Sequence, residues 1–247
     1  MSSGPPASGV AGILLAAGGG SRLGRPKALV EIGGRTLAAR GVSLLRAGGA
    51  DPIVVVTGAA PVELPGVTLV TNPDWRTGMG SSLVAGLSAV RDLAGESCPA
   101  VVIALADQPL IGPEAVRRLI AAHAAGAAVA VAAYDGRPRN PVLIGRAHWA
   151  EVLATTSGDA GARPFLRAHP DLVTAVECAG TGRPDDIDTP DDLARVIDLA
   201  ELLRHPGRET VRRARLSPAP DDHRPALDQR GHRDPAPPVR PSRAPAA

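Results

Sequence analysis

The stretch Ile13-Leu14-Leu15-Ala16-Ala17-Gly18-Gly19-Gly20-Ser21-Arg22-Leu23-Gly24-Arg25-Pro26-Lys27 decides how this 247-residue chain is read. A continuous apolar run over residues 10–16 ends in three glycines, the pattern of a strand buried on both faces that feeds a turn. The glycines leave backbone N–H groups uncovered, and several such dipoles aimed at one point cradle an anion. Arg22 and Lys27 add positive charge to that cradle. Lys27 is the only lysine among 27 basic residues. A compact ammonium kept at one place only points to a position where arginine would not serve.

Counting excludes two glycine motifs. A Walker loop needs Gly-Lys-Ser/Thr after four residues, but Arg25-Pro26 follows Gly24. A dinucleotide fingerprint needs Gly-x-Gly-x-x-Gly, but Leu23 stands in the third glycine's place.

Outward from this stretch, apolar runs predict strands over residues 52–57, 67–70, 100–106, 127–133 and 172–176, with a further strand at the sheet's edge over 141–144. Helical periodicity predicts helices over 36–47, 81–93, 113–124, 147–154, 162–168 and up to about 203. The last opens at Thr189-Pro190-Asp191-Asp192, with threonine as N-cap, proline first in the helix and acids in the first turn. This alternation predicts an α/β fold, a single doubly wound, mostly parallel Rossmann-like sheet with helices on both faces.

Composition limits the alternatives. Hydrophobic residues make up 44% of the chain but aromatics only 2%, so the core is built from Ala, Val, Leu and Ile. No apolar run reaches the roughly 20 residues of a membrane span. Cys98 and Cys178 are far apart and without a Cys-x-x-Cys pattern, which argues against a zinc site or disulfide framework and for reduced thiols in the cytoplasm. The six histidines have no ligand spacing.

Residues 204–247 hold ten arginines against five acids, so the net charge of +2 conceals a mildly acidic remainder. The expected organisation is a disordered leader over 1–9, a folded domain over 10–203 and a disordered Pro/Arg-rich tail over 204–247. The tail lacks the aromatic interleaving of a nucleic-acid platform.

Two acidic groups carry the chemistry. Asp107 stands where the strand over 100–106 ends, the place where open α/β sheets form their ligand crevice. A carboxylate there, facing the glycine turn, is placed to hold Mg2+ against a triphosphate. Asp186 and Asp188 are two apart, so in an extended segment they share a face and repel unless a cation lies between them. Asp185, Asp191 and Asp192 read as solvent-facing or capping acids. A third element, Asn72-Pro73-x-Trp75-x-x-Gly78-Met79-Gly80-Ser81-Ser82-Leu83, offers backbone and hydroxyl donors at a helix start. Trp75 reads as a loop anchor.

The string Leu15-Ala16-Ala17-Gly18-x-Gly20-x-Arg22-Leu23-Gly24-x-x-Lys27 resembles the signature loop of the MobA-like nucleotidyltransferases, and in particular the molybdenum cofactor cytidylyltransferase branch. Asp107-Gln108-Pro109, Asp186-Ile187-Asp188-Thr189-Pro190 and the Asn72–Leu83 string extend the likeness over roughly residues 10–203.

The resemblance implies an Mg2+- or Mn2+-dependent enzyme that moves CMP from CTP to molybdopterin and releases pyrophosphate. Its product would pass to a molybdoenzyme. Arg22 and Lys27 would be catalytic. Leu15, Ala16, Ala17, Gly18, Gly19, Gly20, Ser21, Gly78, Met79, Ser81 and Ser82 would bind nucleotide, and Asp107, Asp186 and Asp188 the metal. Asn140, Gly158, Asp159 and Arg163 would meet the acceptor. Asn140 stands where the family usually has the histidine of Gly-His-Pro, which leaves the acceptor open. GTP as donor and phospholactate as acceptor are the alternatives within this class. A non-catalytic nucleotide-binding or cofactor-delivery protein is the alternative outside it.

Overall fold

The structure, a computed structural model, describes residues 9–204. The expected leader and tail lie outside the described residues, apart from Gly9 and Arg204. The chain runs β1 (Ala11–Leu15), a ribbon of β2 (Glu31–Ile32) and β3 (Arg35–Thr36), α1 (Leu37–Ala47), β4 (Ile53–Thr57), β5 (Thr68–Thr71), α2 (Met79–Ala94), β6 (Ala100–Leu105), α3 (Pro113–Ala124), β7 (Val129–Tyr134), β8 (Arg137–Gly145), α4 (Trp149–Thr155), α5 (Arg163–Ala168), β9 (Val173–Glu177) and α6 (Pro190–Arg204).

Seven strands form one sheet in the order β5-β4-β1-β6-β8-β7-β9. Only β8 is antiparallel to its neighbours. Alternation along the buried strands divides the core between the two faces. Leu14, Val55 and Val102 pack with Val42 and Leu45 of α1 and Val116 and Leu119 of α3. Ile13, Val54, Val56 and Ile103 pack with Leu83 and Leu87 of α2, Trp149 and Val152 of α4 and Phe165 of α5. Each fully buried aliphatic side chain contributes about 1.5–3 kcal/mol. This is how a chain nearly devoid of aromatics holds a two-faced sheet.

The strand expected at the sheet's edge over 141–144 is instead the second half of β8, which lies inside the sheet between β6 and β7. Its two prolines explain the difference. Val142–Gly145 pair with β6, whereas Pro138 and Pro141 precede that pairing, where a missing N–H removes no bond to β6. Asp135 and Gly136 make the β7–β8 turn, both at positive φ of 52° and 73°.

The order 4-1-6 makes β1 and β6 the topological switch point. α1 carries the chain from β1 outward to β4, and the chain returns through α2 to the other side of β1. The loops beyond their carboxyl ends therefore splay apart and leave a crevice. Leu15 pairs with Leu105, and Ala106 N–H donates to the Leu15 carbonyl at 3.1 Å, so the glycine turn and Asp107 leave the sheet side by side.

A third cluster closes this end. Ile187 is fully buried among Leu23, Val30, Leu37, Leu110 and Val196, which pins the acidic segment before α6 over the crevice.

Candidate active site

The turn after β1 is closed by its own backbone. Lys27 N–H donates to the Gly18 carbonyl at 3.2 Å, and Leu23 and Gly24 N–H donate to the Gly20 carbonyl at 2.9 and 2.8 Å. Gly20 has φ of 61°, and a Cβ there would run into the Arg25 carbonyl, so this position requires glycine. The closure returns Lys27 to the mouth of the loop.

From there Lys27 Nζ lies 2.6 Å from Asp107 Oδ2 and 2.6 Å from Asp188 Oδ1. Arg22 adds a contact to Asp188 Oδ2 at 2.9 Å on the exposed side. Ile187, between Asp186 and Asp188, is fully buried, and the cation that the spacing of the two acids called for lies between Asp188 and Asp107. Asp186 Oδ1 accepts from Gln108 Nε2 at 2.8 Å, and Ile187 N–H donates to the Asp107 carbonyl at 2.9 Å.

These charges move one another's protonation. Burial alone would push the Lys27 ammonium down, but Asp107 and Asp188 outweigh it and hold its pKa above the ordinary 10.5. Asp188 is held below the usual carboxylate value, chiefly by its hydrogen bond from Lys27. Asp186 keeps a solvent-facing surface, yet the packed protein around it and then the charges of Asp107 and Asp188 push its carboxyl up. Pairing through Lys27 thus adds stability at neutral pH. The Lys27 part is lost only as pH rises above 10.5, and the Asp188 part as pH falls below 3.8.

Among the described residues, no three of His, Cys, Asp and Glu stand so as to hold an ion by themselves. The donor set still suits a hard divalent cation. Two carboxylates converge on one positive atom, and Mg2+ is commonly held by one or two carboxylates plus substrate phosphates. The Lys27 ammonium marks where that charge is wanted.

Beside this cluster lies a cavity of about 550 Å3. Leu15, Ala16, Ala17, Gly18, Gly78, Met79 and Ser82 line it, as do Lys27 and Asp107. Gly19, Gly20, Ser21 and Ser81 are not in its wall. Gly19 makes room for Trp75: a Cβ there would sit 2.8 Å from the indole. Ser81 Oγ lies 2.8 Å from Asn72 Nδ2 and 2.9 Å from the Gly78 carbonyl, so it braces the loop. The structure starts α2 at Met79 and not at residue 81, and of the two serines expected to bind nucleotide only Ser82 lines the cavity.

Trp75 and Arg76, to which the sequence assigned no chemistry, also line the cavity, with the Arg76 guanidinium 4.5 Å above the Trp75 ring. Nothing in residue type alone marked Arg76.

Of the expected acceptor residues, Asn140 and Arg163 line a small neighbouring cavity of about 60 Å3 that shares Leu15, Met79 and Leu105 with the large one. Asp159 instead lines the large cavity, and its Oδ1 accepts from Met79 N–H at 3.3 Å. Gly158 lines neither. Its carbonyl packs on Gly78, where φ is 119° and a side chain would collide.

A doubly wound sheet whose switch point carries an anion-cradling turn, one lysine and convergent carboxylates defines an enzyme of nucleotidyl transfer. The family model described as the MobA-like NTP transferase domain matches residues 12–173. The chain belongs to that family, and it is a nucleotidyltransferase. It is 38% identical over 202 residues to nicotine blue oxidoreductase of Paenarthrobacter nicotinovorans, covering 76% of this chain and 96% of that protein. It is 32% identical to molybdenum cofactor guanylyltransferase of Rhodobacter capsulatus, covering 76% of this chain and 95% of the relative. Among solved structures, Rv0371c of Mycobacterium tuberculosis H37Rv superposes with a TM-score of 0.68 at 28% identity, over 77% of this chain and 97% of that one. A further structure of Rv0371c is a complex with manganese, with a TM-score of 0.63 at 26% identity over 77% of this chain and 98% of that one. Among the described residues no helix is long and apolar enough to cross a membrane.

Proposed function

We propose that the protein transfers CMP from CTP to molybdopterin carrying its metal and releases pyrophosphate. The supporting observation is Lys27, held 2.6 Å from Asp107 and from Asp188 at the edge of a cavity walled by the glycine turn. An acceptor phosphate oxygen would attack the α-phosphorus of the nucleotide as the bond to pyrophosphate breaks. Lys27, Arg22 and the turn amides would meet the charge spread over the phosphoryl oxygens, so positioning and electrostatics would supply most of the acceleration. Asp107 and Asp188, with Asp186 beside them, would hold a divalent ion, Mg2+ or Mn2+, which when bound neutralises the triphosphate. The manganese complex of Rv0371c supports this for the family fold.

The Ala16-Ala17-Gly18 start, which resembles that of the cytidylyl branch where the guanylyl branch usually has glycine in place of Ala17, supports CTP as the donor, and Ala17 is part of the cavity wall. The test offers CTP, GTP, ATP and UTP separately to the full chain with Mg2+ and molybdenum-loaded molybdopterin, and follows pyrophosphate. Release with CTP alone is the expected result. Release with GTP alone would keep the chemistry and overturn the base, making the protein a guanylyltransferase. Turnover only with phospholactate would overturn the acceptor. Nucleotide binding with no turnover on any acceptor would favour a delivery protein.

One observation favours a second reading: the likeness to nicotine blue oxidoreductase runs over 96% of that protein. On this reading the cavity takes a planar dye or a reducing dinucleotide, and the carboxylates are structural. Bleaching of nicotine blue by the full chain with NADH or NADPH, unaffected by chelation of divalent metal, would select it.

A further inference from the structure

We propose that Gln108 is a positioning residue that holds the Asp186 carboxylate beside Asp107 and Asp188, so that its negative charge adds to the two that face the cation. The inference rests on the metal reading above and assigns a role to a residue that carries no charge.

The argument starts from what holds each acid. Asp107 and Asp188 share Lys27, and Asp188 also has Arg22. Asp186 has no cationic side chain within ion-pair distance among the described residues. Its side-chain partner is the Gln108 amide at 2.8 Å. Asp186 sits beside two like charges that repel it, so without an anchor its side chain would swing to solvent.

The anchor is rigid because the backbone beneath it is stitched. Ile187 N–H donates to the Asp107 carbonyl at 2.9 Å and Arg183 N–H to the Leu110 carbonyl at 3.0 Å, while Ile111 and Gly182 form an antiparallel bridge. The tip after β6 and the segment before α6 thus run as a short ribbon. The Gln108–Asp186 bond is its side-chain rung beside the cation site.

Gln108 is also kept at a cost. The residue is 4% exposed, and the amide oxygen is buried without a partner among the described residues. A buried unpaired acceptor is unfavourable, and an apolar side chain of similar shape would avoid the penalty. The amide nitrogen on Asp186 is what the glutamine supplies, as a neutral donor that orients a metal carboxylate without competing with the metal for charge.

The test is a double-mutant cycle on the full chain, read as Mn2+ affinity by electron paramagnetic resonance in the presence of a non-hydrolysable CTP analogue. Thermal midpoints are measured in parallel. Gln108→Leu should weaken Mn2+ about tenfold, the low end for loss of an outer-shell partner, with a midpoint unchanged or raised. Gln108→Asn, which keeps the amide but falls short of Asp186, should weaken Mn2+ as well. In an Asp186→Asn background, Gln108→Leu should add no further loss. Unchanged Mn2+ affinity in Gln108→Leu, or a full additional loss in the Asp186→Asn background, overturns the clamp. A lowered midpoint with intact Mn2+ affinity overturns it too, since it would make Gln108 purely structural. If Asp186→Asn itself leaves Mn2+ affinity unchanged, the metal role of Asp186 has failed, and the clamp fails with it. The single variants therefore separate the two failures.

Discussion

Two cavities of nearly equal size sit at opposite ends of the same sheet. One, about 550 Å3, opens beyond the carboxyl ends of β1 and β6; the other, about 500 Å3, lies at the amino ends of β4 and β5. The first gathers Lys27, Asp107 and Arg76 in its wall. The second is walled by Pro52, Ile53, Val67, Leu93 and Cys98, with Asp51 its one carboxylate side chain. Size does not separate them; strand direction does. In a mostly parallel sheet the helices begin beyond the carboxyl ends, so their positive ends and uncovered N–H groups collect there. The opposite end meets helix C-termini, and in the last turn of α1 the Arg46 guanidinium donates to the loop carbonyl of Gly66 at 3.0 Å.

The contrast is broken most severely at Lys27. Lys27→Met should lower turnover by about 10²–10³-fold, the usual loss when one preorganised charge at a transition state is removed. The fold should survive, as a thermal scan would show. The same variant should bind free Mn2+ more tightly than wild type, because the ammonium no longer occupies the space between Asp107 and Asp188. Near-normal pyrophosphate release, or weaker Mn2+ binding, would show that Lys27 is not the cation those carboxylates were built around.

Much of this end of the molecule was legible because its signals are local. Three glycines after an apolar run, a solitary lysine, and two acids spaced for one face each have a physical meaning before any folding is known. Thr189 and Asp192 were likewise readable as a cap, and they form a reciprocal one: Asp192 N–H donates to Thr189 Oγ1, and Asp192 Oδ2 accepts from Thr189 N–H. What was not legible depends on contacts between distant segments. Asp159 reaches the large cavity only because the turn at 158–160 docks on the start of α2. Trp75 and Arg76 are placed by the open notch at Gly19 and Gly58. The β8 insertion depends on pairing with β6, a strand about forty residues away in sequence, although Asp135-Gly136 carries the local signal of a tight hairpin turn.

That docking gives the next prediction. Gly78 combines positive φ with the close approach of the Gly158 carbonyl. Gly78→Ala should cost about 1–3 kcal/mol in urea unfolding, as strained backbone positions do. It should also raise KM for the nucleotide more than it lowers kcat, since the Asp159–Met79 contact would open. Unaltered stability would mean the turn at 158–160 is not seated there in solution.

A smaller effect comes from pH. Hydrogen bonds from Thr189 and the Asp188 and Thr189 amides depress the Asp192 carboxyl from 3.8 to about 2. A depressed pKa in the folded state stabilises above the unfolded value, and the contribution disappears as pH falls through the folded one. Wild type should therefore be more stable than Asp192→Asn at neutral pH, with the gap narrowing between 3.8 and about 2. Asp188 N–H donates to the same oxygen at 3.1 Å, so the cap also steadies the segment that faces Lys27. A gap constant with pH would remove Asp192 from the cap.

The smallest expected effect tests the other cavity. Asp51 projects to solvent, while its backbone N–H is committed to the Val10 carbonyl at 2.9 Å, a bond that substitution leaves alone. Asp51→Asn should keep stability within about 0.5 kcal/mol and turnover within about twofold, the ordinary range for surface changes away from a site. If turnover instead dropped as far as in Lys27→Met, the cavity at the amino ends would be part of the chemistry. Strand direction would then no longer explain why the charge lies where it does.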